Sequence, residues 1–193
     1  MYYNSPIGKL CLEDDGEALT ALYPVEAVEP DESLKSSTDV QPDFCSCDDQ
    51  DPISCQGSEL LQRACEELDE YFSGTRKAFD LPLHPQGTEF QKKVWNALRE
   101  IPFGETRSYA DIAERIGQPN ACRAVGGANN KNRILIMIPC HRVIGKDGSM
   151  TGFGCGISAK EYLLRLEHLP AEVPEKTDVQ GKERIVLKSS EEE

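Results

Sequence analysis

The sequence predicts an α/β (α+β) protein in which a small N-terminal antiparallel sheet with a helix precedes a mainly helical C-terminal domain containing a helix-turn-helix. Three observations point there. Gly8–Leu12 and Ala18–Tyr23 are short, partly alternating apolar runs separated by Asp14-Asp15-Gly16, the pattern of a β-hairpin. Further on, Ser and Thr at cap positions open a succession of helical periodicities. Finally, the apolar run Ile134-Leu135-Ile136-Met137-Ile138 ends in Pro139-Cys140-His141-Arg142-Val143, which sets a thiol where a buried segment stops.

In chain order, the hairpin is followed by an acidic stretch rich in Ser, Pro and Asp, about 26–57, which reads as a mobile surface insertion. It holds Cys45, Cys47 and Cys55, either solvated thiols or three parts of a metal site that has no fourth ligand nearby. Ser58 caps a helix whose Leu61, Ala64, Cys65, Leu68 and Phe72 recur at helical spacing, and Ser73-Gly74 ends it. The proline-rich Leu81–Gly87 reads as a linker, so the expected domains are 1–85 and 86–170, with a disordered acidic tail over 171–193. His84 in that linker is a surface residue or a metal ligand.

Beyond the linker, Thr88-x-x-Gln91 is a capping box for a helix with Phe90, Val94, Leu98 and Ile101 on one face. Ser108-x-x-Asp111 opens a shorter helix that Gly117 terminates. After the Gln118-Pro119-Asn120 turn, Asn120 is expected to cap a helix from Ala121 to Ala128 containing the small residues Ala124, Gly126, Gly127 and Ala128. Helix, tight turn and helix make the helix-turn-helix. Its small residues serve close helix packing or close approach to a nucleic-acid backbone, and the long cation Arg123 among them favours the second. A glycine-rich loop over 150–157 follows the cysteine motif, and Ser158-x-x-Glu161 is expected to cap a last helix with Leu163, Leu164 and Leu166 on its apolar face.

Composition narrows the function classes. No apolar signal region and no 18-residue apolar run occurs, which argues against secretion and membrane spanning and for a cytoplasmic location, or a nuclear one in a eukaryotic source. The eight cysteines therefore read as reduced thiols. A net charge of -13 is unusual for a nucleic-acid binder, yet it is unevenly spread. Gln86 to Pro170 carries 12 Lys/Arg against 8 Asp/Glu, whereas the remainder carries 9 against 26.

Within the cysteine motif, a base and a positive charge beside a thiol are what lower its pKa, whereas both would be costly beside a merely structural cysteine. Adjacent residues of an extended chain point apart, so His141 is expected to reach the sulfur through a turn or a water, with a third group orienting the imidazole. Pro139-Cys140-His141-Arg142-Val143 resembles the active-site motif of the O6-alkylguanine-DNA alkyltransferases, the methylated-DNA–protein-cysteine methyltransferases. The resemblance spans roughly Gly87 to Leu169 and includes Arg107–Ala113, Arg123–Ala128, Asn132, Gly152-Phe153 and Ser158–Leu164.

That resemblance implies a helix-turn-helix of the alkyltransferase type and direct-reversal repair. An alkyl group on O6 of guanine, and also O4 of thymine, would pass irreversibly to Cys140, once per molecule, after the damaged nucleotide is flipped out. His141 would take the thiol proton, Glu167 would orient His141, Tyr109 would protonate the guanine ring, and Lys160 would add a positive charge. Arg123 would fill the vacated stack, with Ala124, Gly126 and Gly127 lying along the DNA. Asn132 would act as a hinge, and the carbonyls of Cys140 and Val143 would receive the exocyclic amine. Phe153 and Gly154 stand where members of the family carry tyrosine and serine, so alkyl range is open. No cofactor and no resident metal are expected, and the partner would be double-stranded DNA containing O6-alkylguanine, met by a monomer without any membrane. Two other classes fit fewer motifs: a Cys-His-Glu hydrolase, and a regulator binding undamaged DNA through the helix-turn-helix.

Overall fold

A computed structural model describes residues 1–25 and 57–168, with two short strands beyond them. Most of the acidic insertion, with Cys45, Cys47 and Cys55, lies outside the described residues, as does most of the tail. The first sheet is antiparallel in the order β1 (Tyr2–Ser5), β2 (Gly8–Asp14), β3 (Leu19–Pro24). The hairpin lies where the turn residues put it: Asp14 and Asp15 side chains accept from the amides of Gly16, Glu17 and Ala18, and Gly16 adopts φ 91°. Strand β1 was not anticipated, since its Tyr-Tyr-Asn-Ser sequence has no alternation. Alternate positions Leu10 and Leu12 are fully buried, and helix α1 (Glu59–Phe72) packs on β2.

Ser58 caps α1 through the Leu61 amide, as its sequence requires. The buried stripe is rotated slightly from expectation, because Leu61, Ala64, Glu67, Leu68 and Tyr71 are inside while Cys65 and Phe72 are half-buried. The proline-rich stretch after α1 is anchored to the sheet: Leu19 donates to Pro82 O and His84 to Leu19 O, both at 2.9 Å. One hydrophobic core then runs without a break from Leu10, Leu22 and Leu68 to Val94, Trp95, Leu98 and Ile138.

Helix α2 (Glu89–Arg99) carries the full capping box of Thr88 and Gln91. The two-residue strand β4 (Arg107–Ser108) leads into α3 (Tyr109–Arg115), which Ser108 and Asp111 cap in the same way and which ends with Gly117 at φ 73°. Helix α4 (Cys122–Asn130) departs from expectation. Its N-cap residue is Ala121, with no side-chain cap, because Ala121 N closes a turn onto Gln118 O and leaves Asn120 exposed within that turn. Trp95 Nε1 donates 2.9 Å to the buried Ala128 carbonyl and fixes α4 on α2.

The apolar run is buried, as its composition suggests, and it is not extended. It meets β3 at one point, where Leu22 N donates to Arg133 O and Leu135 N to Leu22 O, and then folds into tight turns. Met137 N donates to Leu135 O across Ile136, whose φ of 68° is strained for a β-branched residue. Strain of about 1–3 kcal/mol is sustained by the packed surroundings. A single 3-10 turn, Cys140–Arg142, follows and runs into β5 (Val143–Ile144), which pairs in parallel with β4. Helix α5 (Ile157–His168) starts at Ile157, so Ser158 lies inside it and does not cap it. Strands β6 (Lys176–Thr177) and β7 (Glu183–Arg184) pair antiparallel within the stretch expected to be a structureless tail. No described helix is long and apolar enough to cross a membrane.

Candidate active site

The 3-10 turn sets Cys140, His141 and Arg142 side by side in the interior, at 5%, 0% and 7% exposure. Asn132 frames the cysteine: its Oδ1 accepts from Ile134 N, and its Nδ2 donates 2.9 Å to Ile138 O and 3.2 Å to Cys140 Sγ. The Asn132 side chain thus ties together the backbone at Ile134 and Ile138 and the Cys140 sulfur. Burial pushes the Cys140 thiol above its ordinary pKa, against which the Asn132 hydrogen bond and the Lys160 charge work. Its resting form is a neutral thiol that needs a base.

Lys160, on α5, is wholly buried and donates 2.6 Å to Val143 O and 3.3 Å to Thr151 O. Burial lowers its pKa to about 8. The Val143 carbonyl expected to receive the base is already engaged by this ammonium, although a carbonyl oxygen has a second lone pair. Thr151 O also accepts from Tyr109 Oη at 3.2 Å. Tyr109 is half-buried at the start of α3, brought beside the pocket loop by the β4–β5 pairing.

Glu167 is the hub of the cluster. Its Oε1 accepts from His141 Nε2 at 2.8 Å, Arg142 Nη2 at 3.0 Å and Tyr71 Oη at 2.7 Å, and its Oε2 from Arg142 Nε at 2.8 Å. Arg142 Nη1 also donates 2.6 Å to Ile101 O. Burial works against the carboxylate, but the hydrogen bonds of His141 and Arg142 and the Arg142 charge outweigh it and hold Glu167 well below the usual range. His141 is also pushed down, by burial and by the Arg142 and Lys160 charges, with Glu167 opposing. A charged imidazolium would suit Glu167 and a neutral ring would suit His141. The neutral ring is the consistent state, because Arg142 already supplies the counter-charge in bidentate geometry. Its Nε2–H then points to Glu167, and Nδ1, buried and without a hydrogen-bond partner among the described residues, keeps its lone pair.

On the outer side, Arg123, Ala124 and Gly127 of α4 are exposed and Gly126 is half-buried. A Cβ on Gly127 would meet nothing within 4 Å, and one on Gly126 only the Tyr109 ring at 3.8 Å, so internal packing does not require either glycine. Phe153 stands edge-on to His141, with ring centroids 6.3 Å apart, and Gly154 is exposed in the same loop. His84 pairs at the surface with Asp15. Among the described residues no group of His, Cys, Asp or Glu is arranged to hold a metal ion.

Three comparisons with known proteins meet on this geometry. The family model described as 6-O-methylguanine DNA methyltransferase, DNA binding domain, matches residues 89–169, and its ribonuclease-like-domain counterpart matches residues 1–85. The chain belongs to this family. A Methanosarcina acetivorans protein named methylated-DNA–protein-cysteine methyltransferase is 45% identical over 170 residues, covering 86% of this chain and 98% of that protein. A Haemophilus influenzae protein of the same name is 40% identical over 171 residues, covering 88% and 86%. The crystal structure of Mycobacterium tuberculosis OGT in complex with DNA superposes with a TM-score of 0.69 at 44% identity, covering 86% of this chain and 91% of that one.

Within the buried cluster, Arg142 has a different partner from the one its sequence suggests, and Tyr71 has no signal in the sequence. Arg142 was expected to act on the thiol, whereas its charge is spent on Glu167. That a buried arginine needs a carboxylate was legible, but not which one. Tyr71 gave no local signal, because at its position in the amphipathic stripe of α1 any large apolar residue would serve.

Proposed function

We propose that this chain repairs DNA by direct reversal, moving an alkyl group from O6 of guanine, or O4 of thymine, to Cys140. What carries the reading is the geometry of the buried cluster: beside Cys140 on the same 3-10 turn lies an imidazole whose Nε2 is bonded to Glu167 at 2.8 Å and whose Nδ1 has no hydrogen-bond partner among the described residues. Nδ1 takes the Cys140 proton through one bridging water. The thiolate then attacks the alkyl carbon, an S–C bond forms, the C–O6 bond breaks, and the electron pair passes to the guanine. Tyr109 protonates the guanine ring as this charge develops, and the proton held by His141 returns to Tyr109 through solvent. The products are an unmodified guanine and a stable thioether, so each molecule acts once.

Lys160 and Asn132 favour the thiolate, and the carbonyls of Cys140 and Val143 receive the exocyclic amine of the base. Entry of the base displaces the Thr151 carbonyl as acceptor for Tyr109. The damaged nucleotide is presented by flipping, with Arg123 filling the stack and the small-residue surface of Ala124, Gly126 and Gly127 against the backbone. Residues 86–170 are the working domain, 1–85 the N-terminal domain, and the protein acts as a monomer in the cytoplasm, or the nucleus in a eukaryotic cell.

The test is incubation with excess duplex DNA containing one O6-methylguanine, followed by mass spectrometry of the chain. One methyl per molecule on Cys140 is the expected result. Repeated turnover, or methyl on Cys122 or Cys155, would exclude it.

A further inference from the structure

Three donors converge on Glu167 Oε1, although a carboxylate oxygen offers about two lone-pair directions. Arg142 is also held at Oε2 through Nε, so the donors that compete most directly for Oε1 are Tyr71 and His141. Tyr71 cannot turn away. Its ring is fully buried, with the Phe72, Phe79 and Phe103 centroids at 5.4, 5.3 and 6.3 Å. Burial and the Glu167 charge push its pKa well up, so the hydroxyl stays a donor at any working pH.

We propose that Tyr71, supplied by α1 of the N-terminal region, is a positioning residue of the alkyl-transfer site: its hydroxyl fixes the Glu167 carboxylate and limits how much of that charge reaches His141. The inference rests on the reading of His141 as the base. It makes the region outside the cysteine, helix-turn-helix and α5 motifs a working part of the site.

The charged and titratable groups facing His141 are Glu167 and Lys160 from α5 and Cys140 and Arg142 on its own turn. Those facing Tyr71 are Glu167, Arg142 and Tyr162. Removing only the hydroxyl leaves all of them in place. The carboxylate charge then bears more fully on the imidazole, which holds its proton more tightly.

The experiment compares Tyr71→Phe with the unaltered full chain by NMR titration of the imidazoles, a small set because the chain has three histidines. The His141 titration should move up by about half a pH unit, and the acid limb of methyl transfer should move with it, giving about a threefold loss of rate on that limb. Phe79→Leu is the control: it loosens the cage around Tyr71, lowers stability and leaves the His141 titration where it was. An unmoved titration in Tyr71→Phe, or an equal shift in Phe79→Leu, overturns the proposal. The titration needs no DNA, so absence of methyl transfer in every variant would count against the repair reading and not against Tyr71.

Discussion

Arg123 and Arg142 carry the same guanidinium in opposite circumstances. Arg123 projects from α4, exposed, with no ion pair to any described residue. Arg142 is 7% exposed, grips both oxygens of Glu167 and caps the Ile101 carbonyl. The first is surplus to the fold and available to a polyanion, whereas the second is a structural counter-ion whose removal leaves a charge stranded. The contrast extends to their surroundings: α4 presents glycines with open space beside them, while the 3-10 turn sits in a crowd of fixed donors. The α4 surface is open and correctable; the buried cluster is over-determined. Substitutions on the two sides should therefore differ in kind.

The largest effect is expected at the reacting atom. Cys140→Ser should abolish transfer, because an alkoxide is not accessible at neutral pH, while binding to alkylated duplex in a gel-shift assay stays within a few-fold of the parent. Loss of binding together with transfer would show that the interior and α4 are not separable.

Next comes Glu167→Gln. The amide keeps the shape but leaves Arg142 buried without its counter-charge, so unfolding free energy should fall by about 3–5 kcal/mol. Transfer should slow by about a hundredfold as His141 loses its fixed tautomer. The sign with pH follows from the low folded pKa of Glu167. Its contribution is fully present above the unfolded value of about 4.3 and is lost as pH falls below that. Urea unfolding of both proteins from neutral to acid pH checks this: the parent should lose stability on acidification more steeply than the variant. Parallel curves would remove Glu167 as the acid-sensitive group.

That cluster also marks where sequence reading runs out. Hairpin, caps and helix ends were legible because their causes are local: Asp14-Asp15-Gly16, the boxes at Thr88 and Ser108, and Gly117 each act within a few residues. Asn120 failed as a cap because a turn through Gln118 and Ala121 competed for the same backbone. The run 134–138 is buried as its composition suggests, but composition does not report dihedral angles, and Ile136 at φ 68° contradicts any local preference. For Cys140, His141 and Glu167 the family resemblance supplied proposed roles, and the structure added a bonded pair of His141 and Glu167. Tyr71 meets Glu167 across 96 residues of sequence, a contact that no local window contains.

On the open side, Arg123→Ala should slow repair of duplex by about a hundredfold, equivalent to a flipping cost of a few kcal/mol. Reaction with free O6-benzylguanine should be spared, provided the pocket takes that base. Arg123→Lys should fall between, as an ammonium keeps the charge and loses the planar group. Rates at two salt concentrations discriminate: a mere phosphate contact would be restored by Lys and would show a defect that shrinks at low salt. Equal losses on duplex and free base would place Arg123 in the pocket instead.

The smallest effect is the sharpest test of the contrast between surface and interior. Gly127 lies within α4, where glycine costs about 0.5–1 kcal/mol relative to alanine, and a Cβ there would meet nothing in the protein. Gly127→Ala should therefore raise unfolding free energy by about that amount. If α4 lies against the DNA backbone, the same methyl group occupies space that the duplex needs, so duplex repair should weaken a few-fold while reaction with free base is unchanged. Gly126→Ala is the companion, since its Cβ would make an ordinary 3.8 Å contact with the Tyr109 ring and so touch the chemistry as well as the surface. A stabilised Gly127→Ala protein that repairs duplex as fast as the parent would mean that α4 keeps its distance from DNA at this position. A variant that gains stability alone and loses speed only on duplex shows that the glycine is kept for the partner and not for the fold.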